Sequence, residues 1–258
     1  VTPLQAALGV VVGFLAGVLS GLFGVGGGIV TTPAVNVLLG GTAIQAIATP
    51  LPVILPTSVA GGLAYARAGE VGFRAARWAI GPGVVGAVAG ALLTERVNAH
   101  LLLVLTSVLI AWTAIQLIRG RAPRVAWEKG KTPVWKHAAI GLLAGFVSGL
   151  LGVGGGIVLV PAFTVFVGMP LKRALGTSLV VIAALVIPGT LVHWWLGHID
   201  WWIFLVLAIG VVPGARLGAR IAIGAREHVL RLAVGGFMLL VAAAYGVSEL
   251  AELLAGRG

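Results

Sequence analysis

Cysteine is absent from the chain. That excludes disulfides, thiolate metal sites and a cysteine nucleophile. Charge is scarce too: 9% of the residues are Asp, Glu, Lys or Arg, against about 25% in an ordinary soluble domain. The seven acidic residues, Glu70, Glu95, Glu128, Asp200, Glu227, Glu249 and Glu252, all fall in loops or at the ends of apolar segments. A cation transporter or proton pump normally keeps a carboxylate within the membrane, and hydrolases and hard-metal sites need acids of their own. Their absence from the apolar runs disfavours a cation substrate, a carboxylate relay and an embedded enzyme. No metal and no cofactor is expected.

What the chain has in plenty is apolar sequence. Hydrophobic residues make up 59% of its 258 positions, and the mean hydropathy is +1.11. Runs of about 18 or more apolar residues read as membrane-spanning helices. The chain reads as an all-α polytopic membrane protein in contact with the lipid bilayer. No basic residue precedes the first run, so that run is expected to be a mature span, not a signal peptide. The net charge of +10 reads as loop charge that fixes orientation, and no nucleic-acid partner is expected.

The chain repeats itself. Residues 13–40 and 141–168 are identical at 18 of 28 positions without a gap, an offset of 128. The register persists: Thr49 matches Thr177, Gly86 matches Gly214, and His100 matches His228. Two repeats follow, 1–120 and 134–258, joined by a basic cytoplasmic linker at 121–133. Each holds about five helical segments: 4–23, 29–40, 42–66, 74–93 and 100–118, then 134–151, 157–168, 171–196, 201–222 and 228–250. The second segment of each half is too short to cross a bilayer. The first two are therefore expected to form a hairpin broken at glycines, re-entrant or fully spanning. Pro50, Pro52 and Pro56 predict a kink or break in the third segment.

Alternate assignment of loops to two faces gives +12 on one and −2 on the other, which total the chain's +10. The positive-inside rule makes the first face cytoplasmic and puts both termini outside. The basic loop at 67–77 corresponds to the non-basic 197–200, and the neutral 94–99 to the basic 220–231. Equivalent loops lie on opposite faces, the pattern of inverted-topology repeats with a site between them near the midplane.

The hairpin breaks are Gly24-Val25-Gly26-Gly27-Gly28 and Gly152-Val153-Gly154-Gly155-Gly156. Helices starting after them inside the membrane would present free N–H groups and a positive dipole end, which suit an anion. Gly26, Gly27, Gly28, Gly154, Gly155 and Gly156 are thus candidate substrate contacts. The competing role is close helix packing, as for the spaced series Gly13-Gly17-Gly21. Ser20, Ser148, Asn36, Thr49, Thr177 and Ser178 cluster near the breaks and could bind oxyanion oxygens; bonding to the preceding helical turn is their alternative. Arg67, Arg216 and Arg220 are either interfacial anchors or a funnel drawing anions to the inner mouth. His193 is the candidate proton-handling or gating residue, set among Trp194, Trp195, Trp201 and Trp202, which read as an interfacial belt.

Each glycine motif is followed by a proline, Pro33 and Pro161, and the second half adds Thr177-Ser178-Leu179. In these elements the chain resembles the sulfite exporter TauE/SafE family of membrane permeases. The first half departs with Thr49-Pro50-Leu51, so position 50 offers no hydroxyl. The resemblance spans nearly the whole chain and implies export of a small sulfur oxyanion, such as sulfite, sulfoacetate or another organosulfonate. A proton- or sodium-coupled importer of such anions is the alternative, and a membrane-embedded enzyme or scaffold is a more distant one. A Gly/Ala-rich helix face permits a homodimer without requiring one.

Overall fold

The computed structural model describes residues 3–40, 45, 48–93, 108, 111, 112, 114–119, 132–151 and 154–254. Nearly all of the linker at 121–133, most of the fifth segment at 100–118, Gly152 and Val153, and the Asn36 side chain lie outside what is described. The described residues are helical, with no strand among them.

In the first half these are α1 (Pro3–Phe23), α2 (Gly28–Val37), α3 (Pro50–Arg67) and α4 (Phe73–Leu93). In the second they are α5 (Val134–Leu151), α6 (Gly156–Pro161), α7 (Leu171–Trp195), α8 (Trp201–Gly224) and α9 (Glu227–Leu254). α6 widens into a π-helical turn over Ala162–Phe166, which follows a proline with no N–H to give. α1, α4, α7 and α8 are each long and apolar enough to cross a membrane.

The break expected in the third segment falls just before its first proline: Gln45 and Ala48 are helical, Thr49 is a turn, and a new helix starts at Pro50. Pro50 and Pro52 lie in the first turn of α3, where a missing N–H costs nothing, and only Pro56 is interior. At the other end α8 is capped by the Asp200 carboxylate, which accepts from the N–H groups of Trp202 and Ile203, both at 3.0 Å.

The halves pack by exchanging partners. α1 lies along α8, and α4 lies along α5. Small residues make this possible. A methyl on Gly13, Gly17 or Gly21 would come within 2.4 Å of the carbonyl oxygens of Leu207, Val211 and Ala215. One on Gly141, Gly145 or Gly149 would come within 2.0 Å of those of Ala79, Gly83 and Ala87. Subtracting 128 from one set and adding it to the other turns each contact into its twin. Numbering rises together along both members of each pair, so the paired helices run parallel.

α3 and α7 pack on each other with the opposite sense: Gly189 faces Leu51, Gly61 faces Leu179 and Gly176 faces Tyr65. These two helices are repeats of one another and run antiparallel. They supply the centre of the core, where Ile54, Ser58, Tyr65, Thr177, Ser178, Leu179 and Ile182 are fully buried. α9 covers the flank, and Leu230, Val234 and Met238 pack with Ala114 and Leu117 of the fifth segment.

Candidate functional site

The chain folds back within four residues between Phe23 and Gly28. Gly24, Gly26 and Gly27 have φ of 69°, 86° and 86°, and Gly154 and Gly155 have 84° and 71°. Side chains strongly disfavour this left-handed region, so the consecutive glycines serve the reversal itself. The Gly27 carbonyl accepts from the N–H groups of Val30 and Thr31, and the Gly155 carbonyl from those of Val158 and Leu159, all at 3.1 Å. The first N–H groups of α2 and α6 have no acceptor within their own helix.

The two breaks meet in the middle of the fold. Gly156 is so close to the first break that a methyl there would sit 2.5 Å from the Val25 Cα. Gly26 and Gly154 both abut Ile54 and Ile182, which are themselves equivalent residues of α3 and α7. Gly27 lies beside Ala16, the Ser20 β-carbon and Thr57, so the start of α2 is folded back on α1. Gly155 stands likewise against Ala144 and Ser148.

The hydroxyl groups divide into two sets. Thr49 and Thr177 tie the halves together: the Asp200 N–H donates to Thr49 Oγ1 at 3.1 Å, and the Gly72 N–H to Thr177 Oγ1 at 2.9 Å. These bonds are twins under the 128-residue offset. Thr177 also donates to the Arg173 carbonyl at 2.6 Å. Ser178 donates to the Gly24 carbonyl at 2.8 Å and so ties down the first break, a bond its equivalent Pro50 cannot make. Ser20 and Ser58 form the other set: both are fully buried with hydroxyl oxygens that have no partner among the described residues.

Ser148 is also buried, at 4% exposure. Ser58 was not anticipated from the sequence. Its equivalent is Val186, so only an unmatched polar residue inside an apolar helix pointed to it. An unpartnered buried hydroxyl costs about 1–3 kcal/mol, and such exceptions in a native core call for a functional account.

Arg67, Arg216 and Arg220 come together. They line one cavity of about 460 Å³ between the ends of α3 and α8, with Leu63 and Ile223 among its walls. None of the three forms an ion pair within the described residues. His193 is half-buried near the opposite end of α7, its Nδ1 3.2 Å from Nδ1 of His198. Trp194 and Trp201 meet edge to face beside it, and Trp195 is 91% exposed. Among the described residues no three His, Asp or Glu side chains gather as a metal site would need.

Long apolar helices packed on glycine stripes, with two buried backbone breaks at the centre, define a polytopic membrane transporter. The chain belongs to the sulfite exporter TauE/SafE family, whose model matches residues 9–245. It is 31% identical over 236 residues to a "Probable membrane transporter protein" of Xylella fastidiosa (strain 9a5c), covering 89% of this chain and 90% of that one. It is 29% identical to the "Probable membrane transporter protein YunE" of Bacillus subtilis (strain 168), over 82% and 86% of the two chains. Similarity extends to "Probable membrane transporter protein YfcA" of Escherichia coli (strain K12), at 26% over 90% and 86%. No solved structure matches.

Proposed function

We propose that this transporter exports a small sulfur oxyanion, sulfite or an organosulfonate such as sulfoacetate, across the cytoplasmic membrane. The substrate is held between the repeats, against the N–H groups that open α2 and α6 and the hydroxyl of Ser20. The observation that carries this reading is the convergence of the two breaks beside a buried, unpartnered Ser20 hydroxyl. Backbone N–H groups and neutral hydroxyls can replace an oxyanion's hydration without a buried countercharge.

The two halves, in this reading, have opposite orientations in the membrane, with both termini outside. The antiparallel run of α3 and α7, the parallel pairing of α1 with α8, and the charge of +12 on one face against −2 on the other all support it. The direction follows from energetics. A potential of 100 mV, negative inside, pushes a monovalent anion outward with about 2.3 kcal/mol, so export needs no coupling carboxylate.

Thermal-shift screening of the purified protein against sulfite, sulfoacetate, taurine and sulfate tests the substrate class. Stabilisation by sulfite or a sulfonate, weakened in Ser20→Ala, is expected. A response to none of them, or one equal in Ser20→Ala, overturns the assignment of the site. The close His193–His198 pair favours a second reading, proton-coupled import. Uptake whose pH dependence disappears in His193→Ala would replace export with it.

A further inference from the structure

The cavity between the ends of α3 and α8 is set apart from the glycine breaks and has a chemistry of its own. Its three arginines, Arg67, Arg216 and Arg220, are exposed. Glu70, three residues past Arg67, pairs with Arg173 at 3.9 Å instead. Arginines at helix ends commonly satisfy terminal carbonyls, but here several of those carbonyls already have other donors. At the end of α3 the N–H groups of Ala68, Gly69 and Glu70 donate to Ala64, Ala66 and Tyr65. At the end of α8 the Ala225 N–H donates to Ile221, and the Lys172 ammonium donates to Ile223. Among the described residues the three guanidinium groups make no ion pair.

Nor does the fold demand them. The offset of 128 maps this groove onto its twin between α7 and α4. There Trp195, Val88 and Leu92 occupy the positions of Arg67, Arg216 and Arg220. These three are themselves exposed, so the position of each arginine tolerates an uncharged side chain and the arginine cluster belongs to one end of the molecule only.

The groove's surroundings identify what they bind. Val59 and Leu63 on α3 and Leu217 and Ile221 on α8 are 52%, 42%, 43% and 47% exposed. These apolar residues run along the same helices as the arginines, Val59 and Leu63 just ahead of Arg67. A free oxyanion would use the arginines and leave that surface untouched. A phospholipid uses both, with its phosphate against the guanidinium groups and its acyl chains along the apolar flank.

We infer that the Arg67–Arg216–Arg220 groove is a binding site for an anionic phospholipid headgroup at the basic end of the molecule. Such pockets between helices are a known way to hold acidic lipids, and arginine's planar fork suits phosphate oxygens. Each arginine is worth about 1 kcal/mol near a charged headgroup, or roughly fivefold in affinity. The site stands independently of the export reading.

The test uses the full chain purified in neutral detergent, with thermal unfolding and native mass spectrometry as readouts. Dioleoylphosphatidylglycerol, dioleoylphosphatidylcholine, glycerol 3-phosphate and sulfite are the probes. Phosphatidylglycerol is expected to bind and raise the unfolding midpoint, and phosphatidylcholine is not. R67Q/R216Q/R220Q should weaken phosphatidylglycerol binding about 100-fold, and R67K/R216K/R220K should retain most of it. Single R220Q, expected to lose about fivefold, serves if the triple variant does not fold. Equal binding of both lipids, or unchanged binding in the glutamine variants, overturns the proposal. Arginine-dependent stabilisation by glycerol 3-phosphate or sulfite equal to that by the lipid also overturns it, in favour of an entrance for free anions.

Discussion

Replacing Gly27 by alanine separates a binding role of the first break from a packing role. Gly27 caps α2 with φ 86° and ψ −13°, a conformation that costs a residue with a β-carbon about 1–2 kcal/mol. Space is not the obstacle. The added methyl would lie 3.6 Å from the Ala16 carbonyl oxygen, 3.6 Å from the Ser20 β-carbon and 3.8 Å from the Thr57 methyl. These are ordinary contacts. The whole stability cost is therefore the backbone term, a fall in unfolding midpoint of about 2–8 °C at about 2–4 °C per kcal/mol for a chain of this size.

Binding should suffer far more. The methyl points at Ser20, in front of the first turn of α2, where the anion is proposed to sit. Losing one charge-assisted hydrogen bond costs about 1.5–3 kcal/mol, or roughly 10- to 100-fold in affinity. Titration calorimetry with sulfite on monodisperse protein measures this directly. Gly81→Ala is the control: it lies within α4 with nothing within 4 Å of the new methyl. It should leave binding unchanged and add up to about 1 kcal/mol of stability. Gly155→Ala is a poorer probe, since its methyl would meet the Ala144 carbonyl oxygen at 2.7 Å and confound folding with binding. Sulfite affinity in Gly27→Ala within twofold of the parent protein would refute the reasoning.

Three further substitutions are informative. Ser20→Ala removes a buried, unpartnered hydroxyl, so stability should hold or rise by about 1 kcal/mol while sulfite affinity falls; lower stability with unchanged affinity contradicts that. Thr49→Val and Thr177→Val each orphan an N–H from the opposite half and should each cost about 1–3 kcal/mol in chemical denaturation. Markedly unequal costs would argue against the twofold equivalence of the two bonds. Gly145→Ala would place a methyl 1.9 Å from the Gly83 carbonyl oxygen. It must push α4 from α5, at about 1–3 kcal/mol, seen as a lower unfolding midpoint; an unchanged midpoint would mean the helices do not rely on that approach.

Much of this architecture was legible because the repeat is so regular. The offset of 128 that aligns the glycine motifs also relates the contacts made across the halves, down to single hydrogen bonds. Periodic glycines on α1 announced close helix packing, but nothing in their spacing told that α1 would choose α8. That choice depends on which carbonyls stand opposite, a three-dimensional fact. Thr49 and Thr177 were legible as a pair, whereas their acceptance of N–H groups 151 and 105 residues away was not. Ser58 escaped notice because its equivalent is a valine. Arg67 lies far in sequence from Arg216 and Arg220, and only the packing of α3 beside α8 makes the three one groove. The prolines of the third segment announced a break, and it falls at Thr49, where Pro50 and Pro52 open a new helix; which residue would carry the turn was not legible.

Sulfite flux in proteoliposomes with an imposed potassium-diffusion potential tests the central claim most directly. The account predicts saturable sulfite movement toward the positive side, faster as the potential grows, and strongly reduced in Gly27→Ala reconstituted at equal density. Sulfite movement indifferent to the potential, or transport of a cation in its place, would contradict it.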